Sequence, residues 1–390
     1  MTISDHLEML GVELRATWSQ TKKANGDIAQ TRVSNTCKQW KTGKFMQLSL
    51  RSWSLNQYCL SKVWFRSHSV DLRVMDVNNI TSSVKSWLYA DQLFKPEELV
   101  MYRPPDYGGL GVHNVKWKAM AGLIRTFLET ACIPKFQPSM YHSLLFRYHV
   151  LDDYSFPNPG YPPFYSAEFF SIIRKVHRDS PLNVQHLSEK QWYRLLVEEN
   201  VTMENVSGMT WDFIPTRMEL KSPSTVWEES WRLARLKGLG PENTTFMFRL
   251  LHCTLPTQER LSRTSPNITP LCKFPGCPGT EEESLAHALV HCQGNNGAGL
   301  ALLNAIQTLA PRLQPEEALR LEMDVDERNE LPLVFALAVG WSTLWDLRLK
   351  KTRPQTYLVR AQLEARVTIL REGRRFRNEA GVVDTIIETL

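Results

Sequence analysis

Within 21 residues the chain gathers three thiols and an imidazole: Cys272-Lys-Phe-Pro-Gly-Cys277, then His287, then Cys292. Two thiolates with four residues between them across a Pro-Gly turn, followed by His and Cys, are the donors a tetrahedral zinc shell needs. Thr280-Glu-Glu-Glu283 reads as a capping box that opens a helix at Glu281, with the glutamates where the helix dipole favours negative charge. On such a helix His291 shares the face of His287, whereas Cys292, at about 100° per residue, is turned about 140° away. Cys292 reaches the metal only if the helix ends there, and Gln293-Gly294-Asn-Asn-Gly297 is suited to end it. The expected ligands are Cys272, Cys277, His287 and Cys292, with His291 as the alternative fourth. Two buried free thiols beside surface histidines are the bland alternative. Four protein ligands leave no open position for water, and no carboxylate stands out as a general base, so the expected cofactor is structural Zn2+. Such an ion binds zinc-finger peptides by about 10–16 kcal/mol, enough to hold a loop-rich segment together.

The second chemical signal is charge. The 390 residues carry 46 Lys plus Arg against 41 Asp plus Glu, a net +5 that decides little. Its distribution says more. Leu14 to Val70 holds Arg15, Lys22, Lys23, Arg32, Lys38, Lys41, Lys44, Arg51, Lys62 and Arg66 against Asp27 alone. Ser342 to Asn378 holds ten bases and three acids, while Glu281 to Glu330 holds ten acids and three arginines. Two basic ends around an acidic middle suit a polyanion-binding surface. Lys22, Lys23, Lys38, Lys41, Lys44, Arg51, Lys62 and Arg66 are the candidate nucleic-acid contacts, neutralising phosphates. The solvated helix face is the competing account, and the interleaved Trp40, Trp53 and Trp64 read as core rather than stacking platforms. Arg371, Arg374, Arg375 and Arg377 read as a solvated helix end.

The elements that must position these groups read as helices. A helix is expected over 27–66, where Ile28, Val33, Trp40, Phe45, Leu48 and Leu55 recur near helical spacing, and others over 79–93 and 115–131. Arg103-Pro-Pro-Asp-Tyr-Gly-Gly-Leu-Gly111 is a turn-rich loop. Residues 134–222 form a Pro- and aromatic-rich irregular connector, with a capping box, Ser188 to Gln191, starting a helix to about 199. A second box, Thr225 to Glu228, opens a helix to about 237, and Pro241 suits the first turn of the next. Tail helices are expected at 298–310, 315–321, 331–350 and 355–372, the apolar run Leu331 to Trp341 being too short to span a bilayer. Cys37, Cys59, Cys132 and Cys253 read as scattered, reduced and buried. With no signal peptide, the protein is expected to be intracellular, in nucleus or cytoplasm, with no membrane and no small-molecule substrate as partner.

The run Phe246-Met-Phe-Arg-Leu-Leu-His-Cys-Thr-Leu-Pro-Thr-Gln-Glu-Arg-Leu261, the Cys/Cys/His/Cys cluster and the Trp-rich stretch Trp341 to Arg348 resemble the zinc-binding module of non-LTR (LINE-type) retrotransposon reverse transcriptases. Leu10-Gly-Val-Glu-Leu14 resembles that family's palm-to-thumb strand, Leu48 to Phe65 its thumb helix, and Gly108-Gly-Leu-Gly-Val112 its loop after the thumb. The resemblance implies the same four metal ligands and an RNA or DNA partner of primer-template type. It implies a mainly α fold in four segments: a thumb-like bundle (1–133), the connector (134–222), the zinc-binding module (223–295) and a helical tail (296–390). The family's polymerase needs paired aspartates for two metal ions. The nearest match, Tyr89-Ala-Asp-Gln92, lacks the second aspartate and reads as chance. The expected function is therefore a non-catalytic nucleic-acid-binding, zinc-binding fragment of such a polymerase, not an enzyme on its own. An incomplete reading of an active RNA-directed DNA polymerase and a host protein-interaction scaffold are the alternatives.

Overall fold

A computed structural model of the protein describes residues 6–9, 11–40, 46–90, 92–131, 171–173, 175–176, 187–201, 223–372 and 377–390. The fold is mainly helical, as expected, and divides into two compact units: Met1–Asp91 with Gly111–Thr202, and Gln92–Leu110 with Met203–Leu390. These packing units cut across the four segments read from the sequence.

In the first unit a hairpin of β1 (His6–Met9) and β2 (Val12–Arg15) precedes α1 (Trp18–Gln39). Thr17 and Gln20 form a reciprocal cap at the start of α1. The fully buried Asn25 ties the hairpin to α1: its amide donates to the Glu13 carbonyl (2.7 Å) and its Oδ1 accepts from the Glu13 N–H (3.1 Å). The single helix expected over 27–66 is broken. Trp40 leaves helical angles, Gln47 is extended, and the chain resumes as α2 (Leu48–Ser54), a π-turn (Leu55–Cys59) and α3 (Ser61–Ser67). Cys37 and Cys59, read as scattered, meet with their sulfurs 3.7 Å apart; Cys132 lies outside the described residues. Next come α4 (Val74–Leu88), α5 (Glu98–Tyr102), which belongs to the second unit, and α6 (Val115–Ala131), on its expected bounds. Most of the expected connector lies outside the described residues. Its capped helix is α7 (Glu189–Asn200), whose Trp192 and Leu196 pack with Ile173 on Met120, Leu123, Ile124 and Leu128 of α6.

The second unit continues with α8 (Pro223–Leu233), α9 (Pro241–Leu251), α10 (Gln258–Thr264), α11 (Ala298–Gln307), α12 (Pro315–Arg320), α13 (Glu327–Leu349), α14 (Thr356–Glu372) and α15 (Arg377–Thr389). α8 starts two residues before the expected cap at Thr225, and α15 had no counterpart in the sequence reading. The apolar run of α13 is buried on every side from Leu331 to Trp341, so this helix is the unit's axis. The glycine loop and the Leu-Leu-His run are in contact. The His252 Nε2–H donates to the Gly108 carbonyl at 2.8 Å, and its ring stacks on Trp231 with centroids 4.6 Å apart. Burial, partly opposed by that hydrogen bond, pushes the imidazole pKa down to about 4. Gly108 has φ +78°, and a Cβ there would fall inside the Trp231 indole. Gly108→Ala is therefore expected to destabilise this unit by about 2–4 kcal/mol through backbone strain and overpacking. Denaturant unfolding of the variant checks this.

Candidate metal centre

The four expected ligands converge. The three sulfurs of Cys272, Cys277 and Cys292 and a ring nitrogen of His287 all lie within 4.8 Å of one another. This is a cluster that could hold a metal ion. Cys272 and Cys292 are 1–3% exposed, His287 is 6% exposed and Cys277 is half-buried. The Cys272 and Cys292 sulfurs are 3.8 Å apart, and Cys277 Sγ lies 3.6 Å from His287 Nε2.

Local structure brings this about differently from the sequence reading. Glu281 to Glu283 do not open a helix. The Cys272 N–H donates to the Glu281 carbonyl (2.9 Å), the Glu283 N–H donates to the Pro270 carbonyl (2.9 Å), and Leu271 bridges Glu282. A helix from Glu281 would forfeit this short ladder. Ser284 caps the later turn instead, its hydroxyl accepting from the His287 N–H at 3.1 Å. His287–His291 is a π-turn: the Cys292 N–H donates to the His287 carbonyl at 2.7 Å. Closing the ring one residue later brings position i+5 back under position i. That turn returns Cys292 to the face of His287 and leaves His291 exposed, outside the cluster. The buried Asn295 amide donates to the Ala288 carbonyl at 2.8 Å, satisfying an acceptor in the widened turn.

Four flanking groups went unread in the sequence. The His287 Nδ1–H donates to Glu281 at 2.7 Å, which fixes the tautomer and turns Nε2 toward the sulfurs. Arg348, near the end of α13, is 7% exposed and donates to Cys272 Sγ (3.0 Å) and Cys292 Sγ (3.6 Å). Its guanidinium also pairs with buried Glu283 (3.1 Å) and lies 4.4 Å from the Phe274 ring centroid. Burial pushes the Cys272 thiol up, a tendency that the Phe274 N–H and Arg348 oppose. The Trp-rich run around α13 was the only sequence signal for Arg348. For Glu281, spacing from His287 was available, but the helix assignment hid it.

The candidate nucleic-acid residues are dispersed. Lys23 and Lys38 are exposed, and Lys62 is exposed with its ammonium on the Thr36 hydroxyl (2.7 Å). Lys22 is ion-paired with Asp71 at 3.0 Å. Lys41 and Lys44 lie outside the described residues. Arg51 and Arg66 are 2–3% exposed, and Arg51 donates to the Met46 carbonyl (2.6 Å) and the Leu88 carbonyl (2.9 Å). These two are therefore interior residues, since a phosphate contact needs an exposed donor. Trp53, expected in the core, is 49% exposed and meets Tyr58 edge-on. Arg371 of the C-terminal cluster pairs with Asp384. Among the described residues no helix is long and apolar enough to cross a membrane. Neither a scan of family models nor a search of curated proteins finds a match to this chain.

The geometry makes the fourth ligand testable. Cys292→Ser is expected to lose the bound metal and His291→Ala to retain it, as read by metal content after gel filtration. Glu281→Gln should weaken metal affinity about 10–100-fold while leaving the stoichiometry unchanged. A competition titration with a chromophoric chelator measures that.

Proposed function

We propose that the cluster is a structural zinc site and that the protein is a non-catalytic nucleic-acid-binding chain, related to the thumb and zinc module of non-LTR reverse transcriptases. One observation carries the reading: four soft donors converge at the positions that the resemblance assigns as ligands. The spacing supports zinc. A tetrahedral ion with metal–sulfur bonds of 2.3 Å and metal–nitrogen bonds near 2.05 Å requires S···S edges of about 3.8 Å and S···N edges of about 3.6 Å. Two of the six separations in the cluster, 3.8 Å and 3.6 Å, match these edges, and all six lie within 4.8 Å. Three thiolates and one neutral imidazole around a divalent ion leave a net −1; the buried Arg348 guanidinium lies against two of the sulfurs and shares its charge between them and buried Glu283. Four protein ligands close the shell, which supports a structural rather than a hydrolytic ion.

Nucleic-acid binding is supported by the acid-poor N-terminal helices, where Lys23, Lys38 and Lys62 remain at the surface. Three phosphate contacts there contribute about −2 to −3 to the slope of log affinity against log salt. The expected results are one equivalent of zinc per chain in protein prepared without chelators, salt-dependent binding of a primer-template oligonucleotide, and no template-dependent extension with magnesium or manganese. Charge reversal at Lys23, Lys38 and Lys62 should weaken binding equally across sequences without changing zinc content, because exposed charges carry little folding energy. Zinc content well below one equivalent, or sequence-specific binding indifferent to salt, contradicts this reading.

A further inference from the structure

Apart from Arg348, the basic run after the metal centre has no role in the site just described, and its geometry points to one. Leu347 to Arg360 contains Arg348, Lys350, Lys351, Arg353 and Arg360 and no acid. Arg348 is turned inward onto the sulfurs, and the chain reverses immediately after it. The Thr352 N–H donates to the Leu347 carbonyl at 2.9 Å, and the Lys351 N–H to the Arg348 carbonyl at 3.0 Å. This helix end takes a left-handed residue, usually glycine, yet the residue is Lys351 at φ +54°. A lysine held in that strained conformation puts a cation where a glycine would serve the backbone better.

The turn is pinned against the metal loop. The Arg353 guanidinium lies 2.8 Å from where a Cβ on Gly276 would sit, and the Asn296 amide donates to the Pro354 carbonyl at 3.1 Å. Lys273, on the same loop as Gly276, is exposed, as are Lys350, Lys351 and Arg353. Among the described residues no carboxylate is ion-paired with Lys273, Lys351 or Arg353. For Lys351 and Arg353 the nearest acid along the chain is Asp346, one turn back beside Lys350, and for Lys273 it is Glu281, across the short bridge from Cys272. At the start of α14, Tyr357 is 61% exposed.

We propose that Lys273, Lys351 and Arg353 form a phosphate-binding site for single-stranded nucleic acid, seated on the metal loop, with Tyr357 offering a face for a base. The cations supply sequence-independent contacts to the backbone, and an exposed aromatic ring stacks on any base. A single strand fits better than a duplex, because only an unpaired base can turn its face to the tyrosine. This site rests on the nucleic-acid-binding reading above but lies in the second unit, away from the N-terminal lysines in sequence.

The test is fluorescence anisotropy of the zinc-loaded full chain with a labelled oligothymidylate. K351E/R353E is expected to weaken binding at least about tenfold and to make the salt slope shallower by about 1.4, two single-strand contacts at about 0.7 each. Tyr357→Ala should weaken it at least about fivefold, and Tyr357→Phe should not, because stacking needs the ring and not the hydroxyl. Helicity and zinc content should be unchanged in all three. If K351E/R353E and Tyr357→Ala bind like the parent while K23E/K38E/K62E loses binding, this site is wrong and the wider reading stands. If the parent itself fails to bind any oligonucleotide, both fail. Capture by phosphatidylserine vesicles with no oligonucleotide binding would instead make the turn a membrane contact and overturn the proposal.

Discussion

Three thiolates and an imidazole cannot be brought together inside a protein without something positive among them. Burial raises the Cys272 thiol, and neighbouring sulfurs resist deprotonation together. The second unit meets this constraint with one guanidinium already in place, and its geometry leaves room for a metal ion. Much of the local fold follows from the convergence. The short bridge between Leu271 and Glu282 aligns Cys272, the π-turn returns Cys292 to His287, and α13 carries Arg348 inward to close the ring of charge.

The π-turn also shows why the fourth ligand could not be chosen from spacing. With α-helical periodicity His291 lies below His287 and Cys292 points away. One extra residue in the hydrogen-bonded ring reverses that order, and π-turns leave no reliable mark in composition. The same holds for Glu281. Thr280 and Glu283 have the spacing of a capping box, but capping competes with the two strand-like hydrogen bonds to residues 270–272, and the strand pairing wins. Where no tertiary partner competes, the same rule worked. The Ser188–Gln191 box caps α7 as read, and Pro241 sits in the first turn of α9. The long apolar run of α13 was equally legible, because a helix apolar on all sides has only a core to go to.

Counting bases along a sequence overstates a binding surface. Arg51 and Arg66 contribute to the positive N-terminal stretch yet lie inside, where Arg51 donates to the carbonyls of Met46 and Leu88. Trp53 errs in the opposite direction: read as core rather than a stacking platform, its ring lies half in solvent. Long-range contacts such as His252 to Gly108 and Arg348 to Cys272 span 144 and 76 residues and were invisible to local pattern. What was legible was the chemistry of the residues; what was not was which distant backbone or sulfur each would meet.

On the proposed reading, the three sulfurs and the Nε2 of His287 form a closed tetrahedral shell around zinc. X-ray absorption at the zinc edge measures this directly on the intact protein. Such a shell gives three sulfur scatterers at about 2.3 Å and one nitrogen at about 2.0–2.1 Å, with no oxygen shell. Two sulfurs with two light scatterers would contradict it, as would a bound water, for either result would mean that Cys292 or Cys277 does not reach the ion.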